Sequence, residues 1–148
     1  MTTFFLAGII QGSMDGHAIH PQDYRRHIRE ILRKHVVDAE VYCPIECHPD
    51  SLAYEDGHAR EVFFGHVERA ATSDVLVAFL PEASMGTAVE MWEAHQRGRV
   101  VLTVTPMQEN WTVKFLSTRM FADLDAFERF VTHGELVRLL QEHTETSG

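Results

Sequence analysis

Apolar positions along this chain switch repeatedly between two spacings. Short runs rich in β-branched and aromatic residues, at 4–8, 40–43, 74–79 and 100–104, read as buried strands. Between them the apolar residues recur every three or four positions. Ile28, Ile31 and Leu32 do so in a helix opened by His20-Pro21 and running to about Lys34, with proline in its first turn. Val62, Phe63 and Val67 form the inward face of a helix over 59–72, and 87–97 has helical composition. A short edge strand is predicted at 116–120, helices at 124–131 and 135–143, and a fraying end at 144–148. The segments 44–57 and 106–111 read as loops, the first acidic and long enough for a functional flap. Strands alternating with helices of this length predict one α/β domain over 1–148, a doubly wound parallel sheet of the Rossmann or flavodoxin-like kind, without repeats or linkers.

That pattern singles out one place. Ser84-Met85-Gly86-Thr87-Ala88-Val89-Glu90 follows the strand at 74–79 as a polar, glycine-containing turn, which puts Glu90 in the first turn of the next helix. Ligands of open α/β sheets bind outside the carboxyl ends of the strands. A carboxylate there, beside small residues that leave room, is a candidate catalytic group, although acidic residues are favoured in the first turn of any helix. The first strand enters the loop Gly8-Ile9-Ile10-Gln11-Gly12-Ser13, whose spacing is neither that of a dinucleotide fingerprint nor that of a P-loop. Its glycines let the backbone approach a ligand, or merely turn.

Composition narrows the partner. The 148 residues carry 13 Lys and Arg against 22 Asp and Glu, and a net charge of −9 argues against a nucleic acid polymer. A single phosphate held by main-chain amides stays open, because that needs local geometry and not global charge. The chain is long enough to bury a core without metal or disulfide staples. No run approaches the roughly 18 apolar residues of a membrane span, and no basic segment precedes the short apolar N-terminus, so a cytoplasmic protein away from the membrane is expected. Cys43 and Cys47, in Cys43-Pro44-Ile45-Glu46-Cys47-His48, lack the further ligands a zinc site needs. They read as the buried end of a strand and a free thiol in the following loop, and neither a metal nor a cofactor is expected.

The segments 4–8, 73–79 and 84–90 together resemble the nucleoside 2-deoxyribosyltransferase superfamily, which includes 2'-deoxynucleoside 5'-phosphate N-hydrolases and cytidine monophosphate N-glycosidases. The resemblance runs over about residues 4–131, and Gly86-Thr87-Ala88-Val89-Glu90 after the Asp74-Val75-Leu76-Val77-Ala78 strand is its most specific part. It implies that Glu90 attacks the anomeric carbon and forms a covalent glycosyl-enzyme, while a second group protonates the leaving base. It implies Ser84 as a ligand of a substrate 5'-phosphate, together with amides of the Gly8, Gly12 and Ser13 loop. Ser84 is equally suited to capping a helix.

The chain departs from the family at two positions. Phe5 stands where many members carry a tyrosine, and His66, eight residues before Asp74, where they carry an aspartate near the base or sugar. A histidine there can donate a proton near neutral pH. It fits a changed substrate or lost activity equally well. His17 and His20 flank the first loop as further phosphate contacts. The resemblance also implies a homodimer in which a neighbouring subunit completes the site through the loop at 106–111. Asn110 and Trp111 suit hydrogen bonding and stacking, and Ser117 lies a little beyond. The implied function is hydrolysis of the N-glycosidic bond of a nucleoside 5'-monophosphate. The alternatives are transfer of deoxyribose between bases and a catalytically weakened nucleotide-binding or sensor module.

Overall fold

The computed structural model describes residues 1–10 and 21–147. Five strands, β1 (Thr2–Gly8), β2 (Ala39–Tyr42), β3 (Val75–Phe79), β4 (Val100–Val104) and β5 (Arg119–Phe121), pair in the order β2-β1-β3-β4-β5, and every pair is parallel. Parallel neighbours need crossover connections. These contain α1 (Asp23–His35), the short α2 (Pro44–Cys47), α3 (Asp56–Thr72), α4 (Met85–Gln96) and α5 (Trp111–Leu116), while α6 (Leu124–Thr132) and α7 (Glu135–Ser147) follow the last strand. This is the doubly wound α/β sheet that the strand–helix alternation predicts.

Because successive side chains on a strand point to opposite faces, the sheet divides the core in two. Phe4, Leu6, Val75 and Val77 pack with Ile28, Leu32, Phe127 and Leu136 of α1, α6 and α7. Phe5, Ala7, Leu76 and Ala78 pack with Ala70, Met91 and Val113 of α3, α4 and α5. Strands covered on both faces need no polar alternation, which is why β1 and β3 are legible as continuous apolar runs. Asp74 clamps the amino end of β3 to β1. Its carboxylate accepts from the Thr3 amide at 2.8 Å and the Thr3 hydroxyl at 3.0 Å, and its own amide donates to Thr3 Oγ at 2.9 Å.

Several boundaries differ from the sequence reading. The segment 44–57 is not a continuous loop: α2 starts at Pro44, a 3-10 turn covers Ser51–Ala53, and α3 begins at Asp56. Cys47 therefore ends a helical turn, exposed, while Cys43 is buried just after β2. The helix α5 takes up residues expected to be loop and edge strand, because the Asn110 side chain accepts from the Val113 amide at 3.2 Å and caps it. The end expected to fray is helical to Ser147. On α3, Phe63 is 45% exposed and the buried residues are Ala70 and Ala71, so the inward face lies further along the helix than predicted. Among the described residues, no helix is long and apolar enough to cross a membrane.

Candidate active site

The chain steps from β1 outward to β2, then returns past β1 to β3, so the winding reverses between β1 and β3. Loops leaving the two carboxyl ends diverge at such a point and open a crevice. A cavity of about 320 Å³ lies there, lined by Gly8, His66, Ser84, Gly86 and Glu90. Ile10, Leu52, Phe63 and Val67 give it an apolar side.

Five of the residues singled out in the sequence thus meet in one place, while Phe5, Asn110, Trp111 and Ser117 do not line it. Phe5 is fully buried beneath the cavity, stacked on Tyr42 at 5.8 Å and edge-on to His66 at 6.3 Å. Asn110 and Ser117 cap the two ends of α5 and do not line the cavity of their own chain. Ser117 Oγ is instead engaged by Thr103 Oγ at 2.7 Å and the Val113 carbonyl at 2.5 Å. Gly12, Ser13, His17 and His20 lie outside the described residues.

The two glycines of the wall have different causes. A Cβ on Gly8 would collide with the Tyr24 hydroxyl and come within 3.0 Å of the Phe79 carbonyl, so packing requires glycine there. A Cβ on Gly86 would meet nothing within 4 Å. Its small size is not needed by the fold and leaves the cavity open. Gly86→Val is therefore expected to melt within about 0.5 kcal/mol of the parent, since both residues are weak helix formers. If the cavity takes the nucleotide that the family resemblance implies, calorimetry should nevertheless find its binding weakened tenfold or more, and unchanged affinity would show that the ligand does not reach this wall.

Helix α4 begins two residues earlier than the sequence suggests, with Ser84 as its cap. Ser84 Oγ accepts from the Thr87 amide at 3.3 Å and donates to Thr87 Oγ at 3.0 Å. The first intrahelical bond runs from the Ala88 amide to the Ser84 carbonyl at 3.1 Å, so the Met85 and Gly86 amides precede the ladder, as at any helix start. Two consequences follow. The cavity edge carries amide donors and the positive end of a helix dipole, the arrangement that binds anions. Glu90 falls in the second turn and not the first, where the dipole that favours acidic residues has faded. Burial instead raises its carboxyl from 4.5 to about 8, against an opposing pull from Arg25.

His66 projects from α3 among Phe5, Tyr42 and His48, whose ring lies 5.4 Å away. Burial, then His48, Arg25 and Arg69, depress it to about 4. It is neutral at ordinary pH, and its Nε2 is shielded from solvent with no hydrogen-bond partner among the described residues. Sequence reasoning missed Tyr24 and Arg25, which pack behind Gly8. The signal was present: Arg25 sits three residues before Ile28 on the apolar stripe of α1, where a charge is out of place.

No family model matches the sequence, and no curated protein matches it. Solved structures do. A 2-deoxyribosyltransferase from the psychrotolerant bacterium Bacillus psychrosaccharolyticus superposes with a TM-score of 0.64 at 18% identity, over 86% of this chain and 90% of that one. A conserved protein from Enterococcus faecalis V583 does so with a TM-score of 0.66 at 21% identity, over 90% and 98%. At such identities the likeness is one of architecture: the chain shares the doubly wound α/β fold of these two structures.

Proposed function

We propose that the chain is an N-glycosidase that hydrolyses nucleoside 5'-monophosphates. One observation carries this reading: a half-buried carboxyl, Glu90, and the first amides of α4, which precede the helix ladder, share a single cavity at the switch point of the sheet. The phosphate takes the helix end with Ser84 and Gly86, and the base lies toward His66 and the apolar side. The ionised Glu90 carboxylate attacks the anomeric carbon as the C–N bond breaks, and the bonding pair leaves with the base, which takes up a proton from solvent that the later attack of water returns. Water then attacks the glycosyl ester, releases the sugar phosphate and returns the carboxylate. His66, being neutral, lines the base end of the cavity without supplying that proton. A panel of ribo- and deoxyribonucleotides assayed for free base tests the proposal. Release from at least one 5'-monophosphate is expected, and none from any member refutes it.

The likeness to a 2-deoxyribosyltransferase favours a second reading, transfer of the sugar to another base. An acceptor base added to the same assay then accumulates as a new nucleoside.

The active form is a homodimer. Met85, Val89 and Trp92 are exposed at helical spacing on α4, and Trp111 and Phe115 at 76% and 63% on the adjoining α5. Contiguous apolar surface of this kind marks an interface, and Met85 belongs at once to this face and to the cavity wall. The family resemblance assigns Asn110 and Ser117, at the two ends of α5, to the partner's cavity. The expected mass in solution is twice 16.9 kDa. Trp111→Glu with Phe115→Glu should give a monomer at least tenfold less active, whereas a fully active monomeric parent would overturn the shared site.

A further inference from the structure

We propose that Phe63 is the stacking platform of the cleft, the side chain on which the flat heteroaromatic base of the ligand lies. The inference rests on the cavity taking a nucleotide and adds the residue that holds its base.

The cavity has two unlike walls. Ser84, Thr87 and Glu90, at the cap and along one face of α4, make the polar one. Phe63, His66 and Val67 make the other. They stand three and four residues apart on α3 and therefore share one face of that helix. Leu52, from the 3-10 turn before α3, continues this wall. Above about pH 5 His66 has lost its proton, so these four side chains carry no charge. A ligand that suits both walls is polar or anionic at one end and flat and apolar at the other.

Phe63 is the large side chain of the second wall that the fold leaves open. It is 45% exposed, whereas Phe4, Phe5 and Phe127 of the core are sealed off from water. Its ring is not loose. Phe64 meets it edge to face, at 5.2 Å and 87°, and the Arg60 guanidinium lies 5.0 Å from the centre of the Phe64 ring. The fold thus holds an aromatic ring at the cavity without using up its surface. Covering that surface removes apolar area from water, and offset stacking adds an attraction that an aliphatic group of the same size does not receive. Every nucleobase has such a face, and stacking asks for no hydrogen bond from the wall. The chemistry that fits is therefore a heteroaromatic base carried on a sugar phosphate, whereas a sugar phosphate alone leaves the ring in water. A phenylalanine that served only self-association would make no such distinction between ligands.

The test measures binding by calorimetry on the full chain in the Glu90→Gln background, so that no ligand is consumed. The probes are the 5'-monophosphates of adenosine, guanosine, cytidine and uridine and their deoxy forms, with ribose 5-phosphate and 2-deoxyribose 5-phosphate as controls without a base. At least one nucleotide is expected to bind about tenfold or more tighter than its control. Phe63→Ala should reduce that margin about tenfold and leave the affinity for the control within about twofold, while Phe63→Trp, which keeps a ring, should retain it. The side chain is half exposed, so both variants should melt near the parent. A parent without the margin, or a folded Phe63→Ala protein that keeps it, overturns the proposal. The parent gives a second readout that needs no variant: protons of the bound base should show nuclear Overhauser contacts to the Phe63 ring, and their absence also overturns it. Base release is a separate assay. A protein that stacks a base on Phe63 and releases none refutes the enzymatic reading alone, and release from Phe63→Ala at the parent's kcat/KM refutes the stacking alone.

Discussion

Glu90→Gln is expected to abolish base release while making the folded chain more stable at alkaline pH. The amide cannot attack the anomeric carbon, nor balance the positive charge that develops on the sugar ring, so a loss of at least about a thousandfold in kcat follows. The stability change comes from the same burial. The folded carboxyl holds its proton up to about pH 8, whereas the unfolded chain gives it up near 4.5. Between those values the native state binds one proton more than the unfolded state, so Glu90 makes stability fall as pH rises, and the loss is complete above about 8. Glutamine mimics the protonated form at every pH. The variant should therefore match the parent at pH 4.5 and exceed it at pH 9 by a few kcal/mol, the order of a shift of this size at about 1.4 kcal/mol per unit. In a domain of this length that is several degrees in melting temperature. Equal melting temperatures at pH 9 would mean that water reaches the carboxyl freely.

The sequence disclosed the sheet and one wall of the cavity for the same physical reason. Strands β1 and β3 are buried on both faces, so their apolar runs are unbroken, and the polar turn after β3 stands out against them. Ser84, Gly86 and Glu90 lie within that turn and the helix it starts. The opposite wall was harder to read, because its residues obey no local period. Phe63 fits an inward-facing helical position by spacing, yet it is half exposed and lines the cavity. Arg25 fits a core position by spacing and is a charge, which became meaningful only once its carbonyl partners were known. The loop after β4 conceals a helix whose only local sign is Asn110 as a cap. Asp74 is the reverse case. It belongs to the segment that carries the family resemblance, and yet it serves as a strand clamp at the end of β3 away from the cavity.

The pH dependence of kcat/KM decides which role the carboxyl plays. That parameter reports the ionisations of the free enzyme. Two groups on the cavity wall titrate far from their usual values, Glu90 near 8 and His66 near 4. If Glu90 is the nucleophile it works only when ionised, so activity should rise tenfold per pH unit up to about 8 and then level off. At pH 6 the rate should be about a hundredfold below the plateau. His66 has already lost its proton above pH 5, so it adds no falling limb between 5 and 9, unlike a histidine of ordinary pKa acting as an acid. The opposite profile, with activity lost above pH 8, would make Glu90 a proton donor, because burial that raises a carboxyl also suits it to that task. Mass spectrometry of the quenched reaction distinguishes the two without kinetics. A sugar phosphate attached to the peptide containing Glu90, accumulating along the rising limb, is expected for the nucleophile and impossible for the donor.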